Sequence, residues 1–341
     1  MATVLDVARV AGVSTATVSR ALSGDGSGVR PETRRRVMEA AESLGYEPNR
    51  LPQYLKNQSV NTIGFIVNDI GNPFYTAIAR GCEDVIRTAG YSLILASTDE
   101  DPEREAAVLA EMQAEKLAGI ILTPSGEPSL QLARMVERGT PIVSLDREPG
   151  VRLDTVGVDN EAAAFEGVHH LTGLGHRRIG IVAGPDTIGA AEDRLAGYRR
   201  ALREVGLEPE PALVRRGDLR EEGGYRRAIE LLELDEPPTA IFSINNLTTI
   251  GVLRATRHLG IDMPDDLSLV GFDDIPTGEL LDPPLTVIVQ PTYQLGAKAA
   301  ELLLRRIAEP DATRTEVVLH ASLLIRGSTS RPAARPATST L

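Results

Sequence analysis

A chain of 341 residues, 42% hydrophobic and 25% charged, has the composition of a soluble protein and is too long for one hydrophobic core, so two or three domains are expected. Its single cysteine, Cys82, excludes an internal disulfide framework, and no apolar run approaches the ~18 residues of a membrane span. The net charge of −12 excludes a uniformly basic nucleic-acid binder, but residues 1–59 hold eight Lys/Arg against six Asp/Glu while the other 282 hold 28 against 42, which fits an acidic body that meets DNA through a mildly basic head.

The head opens with a short helical pattern on Leu5, Val7, Ala8 and Val10 that stops at Gly12, a residue free to take the left-handed conformation of a tight turn. Ser14 is an N-cap type residue and starts a second helix to about Leu22, with Val18, Ala21 and Leu22 inward and Thr15, Ala16, Ser19 and Arg20 elsewhere. Two short helices around a glycine turn, the second one polar, make a helix-turn-helix whose second helix fits a major groove. Ordinary helical packing would give the same spacing, but the context favours the motif. Pro31 and Glu32 open a third helix with Val37, Ala40, Ala41 and Leu44 on one face and Gly45 as its stop. Residues 1–46 form this domain. The polar, proline-bearing stretch 47–61 reads as a linker.

From residue 62 short apolar runs alternate with amphipathic helices. TIGFIV, YSLILAS, AGIILT, PIVSL and TVGV read as one set of strands, and RIGIVAG, ALVRR, TAIFSI, LSLVGF and LTVIVQ as a second. Continuous Val/Ile/Leu runs between helices argue for parallel strands covered on both faces, hence two doubly wound α/β subdomains. The tail from residue 328 to 341 is rich in Pro, Ser, Thr and Ala and is expected to be disordered.

Catalytic and cofactor motifs are missing: there is no GxxxxGK[ST] phosphate loop, no HExxH and no nucleophile elbow. His169, His170 and His176 cluster without Cys or carboxylate partners, which points away from a metal site. LGHRRIG reads more simply as a helix stop at Gly175 with His176, Arg177 and Arg178 at the negative helix end. Neither an enzyme nor a cofactor is indicated. Polar residues at strand ends are more informative. Asp146 and Arg147 follow PIVSL, Asn245 follows TAIFSI, Asp273 follows LSLVGF and Gln290 closes LTVIVQ; Arg194 opens RLAGY, and Phe74 with Tyr75 lies in NPFY. Singly each could be a cap or a surface charge. Together they place carboxylate, amide, guanidinium and aromatic groups around one cleft, equipment for a polyhydroxylated ligand.

The run DVARVAGVSTATVSRAL, then VRPETRRRV, then LGYEPN, followed by GFIV, NPFY, RLAGY, VGFDD and LTVIVQP, resembles the lac-repressor/gal-repressor family of bacterial transcription regulators over about residues 3–327. The resemblance implies a helix-turn-helix domain and a periplasmic-binding-protein-like body. Its first subdomain would comprise about 62–159 and 291–320, and its second about 160–290 and 321–327. It implies Thr15, Ala16 and Arg20 at base edges, where Arg can bond guanine bidentately, and Thr3, Ser14, Thr17 and Ser19 near phosphates. Asn49 would cap a hinge helix whose Leu55 wedges into the minor groove, with Pro52 departing from the small residue usual there. It also implies that Asp146, Arg147, Arg194, Asn245, Asp273 and Gln290 contact an effector. Leu219 stands where an aromatic residue is frequent, and Asn246 where Asp is usual. The reading is a cytoplasmic homodimeric regulator, a repressor, bound to pseudo-palindromic operator DNA and controlled by a sugar. A nucleobase or protein corepressor in place of the sugar is the alternative. A sugar-binding transport protein is disfavoured by the N-terminal module and by the lack of a signal segment in MATVLDVARV.

Overall fold

The computed structural model describes residues 2–22, 28–46 and 60–333, so the expected hinge helix with Asn49, Pro52 and Leu55 lies outside the described residues. The chain divides into two units, Met1–Val60 and Asn61–Leu341.

The head is three helices, α1 (Val4–Ala11), α2 (Thr15–Leu22) and α3 (Pro31–Ser43). Thr3 and Asp6 cap α1 reciprocally, and Gly12 ends it with φ 65°. Ser14 starts α2 by accepting from the Thr17 amide at 3.2 Å. Val7, Ala8 and Ala11 meet Val18, Ala21, Val37, Ala40 and Ala41 in a small core. The expected helix forms, with Leu5 63% and Val10 58% exposed. At 100° per residue Val7, Ala8 and Ala11 share one side, and Leu5 and Val10 fall outside it. Arg36 of α3 donates to the Ala11 carbonyl and ties the helix ends together.

The body holds two six-stranded sheets. The first contains β1 (Val60–Val67), β2 (Ser92–Ser97), β3 (Leu117–Leu122), β4 (Ile142–Leu145) and β5 (Asp154–Val158), with β11 (Glu316–Leu319) at one edge, in the order β11-β5-β4-β3-β1-β2. The second contains β6 (Ile179–Ala183), β7 (Val214–Arg216), β8 (Ala240–Ser243), β9 (Ser268–Phe272), β10 (Thr286–Val289) and β12 (Ser322–Leu324), in the order β12-β10-β9-β8-β6-β7. Strand β12 runs antiparallel to β10, whereas the β6–β7, β6–β8, β8–β9 and β9–β10 pairings are parallel. β4, β6, β8 and β9 are buried at every residue, as strands covered on both faces must be.

Helices α4 (Pro73–Thr88), α5 (Pro102–Ala114), α6 (Leu130–Glu137) and α11 (Thr292–Ala308) belong to the first subdomain; α7 (Asn160–Gly173), α8 (Gly189–Glu204), α9 (Glu221–Leu232) and α10 (Asn246–Leu259) belong to the second. The chain crosses between subdomains after β5, after β10 and after β11, so the two sheets are laced together at three places. α4 and α11 pack backbone to backbone: a Cβ on Gly81 would lie 2.1 Å from the Tyr293 carbonyl oxygen, and one on Gly296 2.0 Å from that of Ile78. Buried Cys82 sits at this contact and donates to the Gly296 carbonyl at 3.2 Å; burial pushes its thiol up to about 12.

Two expectations need correction. The tail does not lose order at residue 328. Ser328 is fully buried, its hydroxyl accepts from the Thr286 amide at 2.8 Å and donates to the Leu269 carbonyl at 2.7 Å, and its own carbonyl accepts from the Leu269 amide at 2.8 Å. Hydroxyl-bearing residues have enough donors and acceptors to complete a sheet edge that composition alone classes as disordered. His176 is not an exposed helix-end charge. It is buried, with ring nitrogens 2.9 Å from the Thr239 hydroxyl and from the Ser330 carbonyl, and burial lowers its pKa. It fastens the same tail to the second sheet.

Candidate functional site

In the head, α2 presents Thr15, Ala16, Ser19 and Arg20 on its exposed side. Residues three and four apart share a helix face, so Ala16 and Arg20 are neighbours, and the Arg20 Nε donates back to the Ala16 carbonyl at 3.3 Å. Thr3, Ser14 and Thr17, expected near phosphates, are occupied as caps: the Ser14 and Thr17 hydroxyls lie 2.9 Å apart and Thr3 binds Asp6. Their local role is to fix the two helix starts on which the exposed face depends.

In the body, Phe74, Asp146, Arg147, Arg194, Asn245 and Asp273 come together around one cleft at the carboxyl ends of both sheets. The space left between them is about 50 Å³, room for a few water molecules. Arg194 is buried, with Nε 2.8 Å from Asn160 Oδ1, Nη1 2.6 Å from the Ile244 carbonyl, and its guanidinium 3.7 Å from the centre of the Phe272 ring. It is held flat and rigid against the second subdomain. Arg147 binds both oxygens of Glu100 at 2.7 Å and the Pro124 carbonyl at 3.1 Å. Asn245 caps α10 through the Thr248 amide at 2.8 Å and donates to the Leu219 carbonyl at 2.8 Å, so capping and wall-building coexist in one side chain.

Gln290 is placed differently from the expectation. It lies behind the wall and donates to Asp273 Oδ1 at 2.7 Å, acting on the cleft through that carboxylate. Burial raises the pKa of Asp273 to about 6, against the pull of Arg194; burial raises that of Asp146 too, opposed by Arg194 and Arg147. Among the described residues four buried side-chain atoms have no hydrogen-bond partner: Asn68 Oδ1, Thr123 Oγ1, Asp146 Oδ1 and Gln290 Oε1. Each residue directly follows a strand, β1, β3, β4 or β10. Buried oxygens in want of donors are costly unless something supplies them.

Tyr75, expected beside Phe74, lines the cleft too, whereas the sequence reading missed Glu100, Asn72 and Arg220, which also line it. Glu100 sits in the acidic run TDEDP, which reads as solvated surface, yet its backbone is left-handed at φ 63°. That is an unusual conformation for a residue other than glycine, and it turns the carboxylate toward Arg147. Asn72 begins NPFY and caps α4 through the Phe74 amide at 3.0 Å; an Asn before a Pro at a helix start was the available signal. Leu219, at φ 62°, supplies an aliphatic wall where an aromatic one was sought.

Among the described residues no helix is long and apolar enough to cross a membrane. Residues 3–49 match the model for bacterial regulatory proteins of the lacI family, and residues 168–329 match a periplasmic binding protein-like domain. The chain is 37% identical to the HTH-type transcriptional repressor CytR of Escherichia coli (strain K12), covering 96% of each, and 35% identical to catabolite control protein A of Priestia megaterium, covering 96% of this chain and 99% of that one. Among solved structures, the lac repressor dimer bound to operator and the anti-inducer ONPF is similar with a TM-score of 0.84 at 29% identity, covering 96% of this chain and 99% of that one. A transcriptional regulator CelR–cellobiose complex is similar with a TM-score of 0.73 at 31% identity, covering 96% of this chain and all of that one. The chain belongs to the lacI family of bacterial regulatory proteins: it is a DNA-binding transcriptional regulator with a ligand-binding body.

Proposed function

We propose that this regulator is a non-catalytic, cytoplasmic, homodimeric repressor that binds a pseudo-palindromic operator and answers to a neutral, hydroxyl-rich effector of the sugar class. The observation that carries the effector reading is the pair of carboxylates lining one cleft, buried Asp273 and half-buried Asp146, whose Oδ1 is buried and lacks a donor. Carboxylate acceptors beside a fixed guanidinium suit a ligand with several hydroxyl donors and acceptors, while Phe74 offers an apolar surface for ring carbons. A strongly anionic ligand would have to face Asp146, Asp273, Asp218 and Glu100. The similarity to a regulator solved with cellobiose and to a dimer solved on operator supports the same reading. In it Thr15, Ala16 and Arg20 read base edges, and the stretch 47–61 transmits the state of the cleft to the head.

Selection of operator fragments from a random library, followed by anisotropy titration with pentoses, hexoses, disaccharides and nucleosides, tests it. A sugar should change operator affinity at least tenfold in wild type and not in Asp273→Ala. A response confined to nucleosides would move the effector to the nucleobase class, and no selected sequence at all would overturn the operator half.

A further inference from the structure

The two subdomains are joined beside the cleft by an amide-to-amide bond between Asn72, which lines it, and Asn246, which does not. Asn246 Nδ2 donates to Asn72 Oδ1 at 2.7 Å, with Asn246 fully buried and Asn72 nearly so. Asn72 caps α4 in the first subdomain and Asn246 is the first residue of α10 in the second, so this bond joins the two halves of the body. An outer bond runs alongside it, from Arg220 Nη2 to the Asp99 carbonyl at 3.1 Å.

The direction of the amide bond is dictated at both ends. The Phe74 amide donates to Asn72 Oδ1 at 3.0 Å, which holds that oxygen toward the helix start. The Leu247 amide donates to Asn246 Oδ1 at 2.8 Å, which leaves the Asn246 NH₂ as the group that faces across. Rotating either side chain to exchange its oxygen and nitrogen would set an NH₂ against a backbone N–H. Asn72 is therefore a pure acceptor in this contact and Asn246 a pure donor.

We propose that the Asn72–Asn246 bond is the clasp that holds the two subdomains together beside the cleft, and that its strength sets how readily they part. Parting the subdomains enlarges the space of about 50 Å³ between these walls. It breaks the amide bond while the three crossovers stay intact.

The fixed polarity makes the test asymmetric, because one chemical change has opposite effects on the two sides. Asn72→Asp keeps the acceptor, still caps α4 and makes the bond charge-assisted, so the clasp tightens. Asn246→Asp removes the donor and sets oxygen against oxygen, so the clasp fails. Hydrogen–deuterium exchange with mass spectrometry on the full-length protein, without DNA or ligand, reads both. Segments 68–75, 218–221 and 245–250 should exchange at least tenfold faster in Asn246→Asp, and no faster or more slowly in Asn72→Asp, with β6 and α11 unchanged in each. Equal acceleration in the two variants would reduce the contact to local helix capping and overturn the clasp, as would wild-type exchange in both. If Asn246→Asp speeds exchange throughout, the decision falls to Asn72→Asp, where faster exchange in these three segments overturns the proposal. None of these outcomes depends on operator or effector identity, so the clasp and the proposed function stand or fall separately.

Discussion

Asp146 and Asp273 occupy equivalent positions in the two subdomains. Each directly follows a strand in the same place of its sheet, β4 and β9, and each has a left-handed backbone, with φ 67° and 66°. The Asp146 amide donates to the Val156 carbonyl of β5 at 2.8 Å, and the Asp273 amide to the Ile288 carbonyl of β10 at 2.9 Å. Asp tolerates this conformation better than most residues, so the chain turns sharply while the carboxylate stays under the cleft. Arg194 acts electrostatically on both, so the two acids share one fixed cation, to which Arg147 adds at Asp146.

That arrangement predicts a pH dependence of stability. Burial holds Asp273 near 6, above the ordinary carboxylate range, so the folded chain binds this proton more tightly than the unfolded chain does. The favourable contribution is fully present below about pH 4 and is lost as pH rises through about 6, a change on the order of 3 kcal/mol. Asp146 shifts in the same direction and steepens the loss. Asp273→Asn, which resembles the protonated acid, should match wild type in urea denaturation near pH 4 and exceed it above pH 6. Parallel stability curves for the two proteins would contradict this.

Arg194→Ala leaves Asp273 without its buried cation, Asp146 with Arg147 alone, and two hydrogen bonds unmade, at Asn160 and Ile244. The expected loss is roughly 3–5 kcal/mol. Arg194→Lys keeps the charge but loses the planar fork and the stacking on Phe272, and should cost about 1–3 kcal/mol. Chemical denaturation at pH 7 ranks the variants, and neither should retain wild-type effector affinity in calorimetry.

Gly296→Ala drives a methyl group into the Ile78 carbonyl and has no flexible side chain to displace. Forcing α4 and α11 apart should cost at least about 1–3 kcal/mol. Thermal unfolding should show the loss, whereas Gly139→Ala, where the added methyl meets open space, should show only the smaller cost of its φ of 75°.

Arg20→Ala should relax base preference at one position of each operator half-site, with a penalty of ~1–3 kcal/mol per half-site on the preferred sequence. Binding across a randomised operator library measures it. An unchanged preference would assign Arg20 to a phosphate or remove it from the interface.

Much of the body was legible because doubly covered strands must be continuous Val/Ile/Leu runs, and LSLVGF or TAIFSI admits few other readings. The cleft was partly legible for a related reason: polar residues that end such runs lie at the sheet's carboxyl edge, where Asp146, Asn245 and Asp273 are found. What escaped depends on contacts distant in sequence. Glu100 looks like surface until Arg147 is placed against it, and Gln290 looks like wall until Asp273 stands in front. The pattern of Leu5, Val7, Ala8 and Val10 marks the helix, but hydrophobicity does not say which side of a two-turn helix faces inward. The tail misled because Ser328, Thr329 and Ser330 are polar yet bond into the second subdomain through Thr286, His170 and His176.

The lacing of the two sheets has a consequence for how the protein is made. The first subdomain starts at β1 but receives its covering helix α11 only after residue 292 and its edge strand β11 only after residue 316. A ribosome releasing the chain from its N-terminus delivers the entire second subdomain, except its own last strand, before the first can be finished. Neither half can mature and wait for the other, and a nascent chain halted before residue 292 carries two unfinished sheets. The head, whose three helices and core lie within the first 46 residues, is under no such delay. Each newly made molecule thus offers a completed DNA-facing module well before the body that governs it exists.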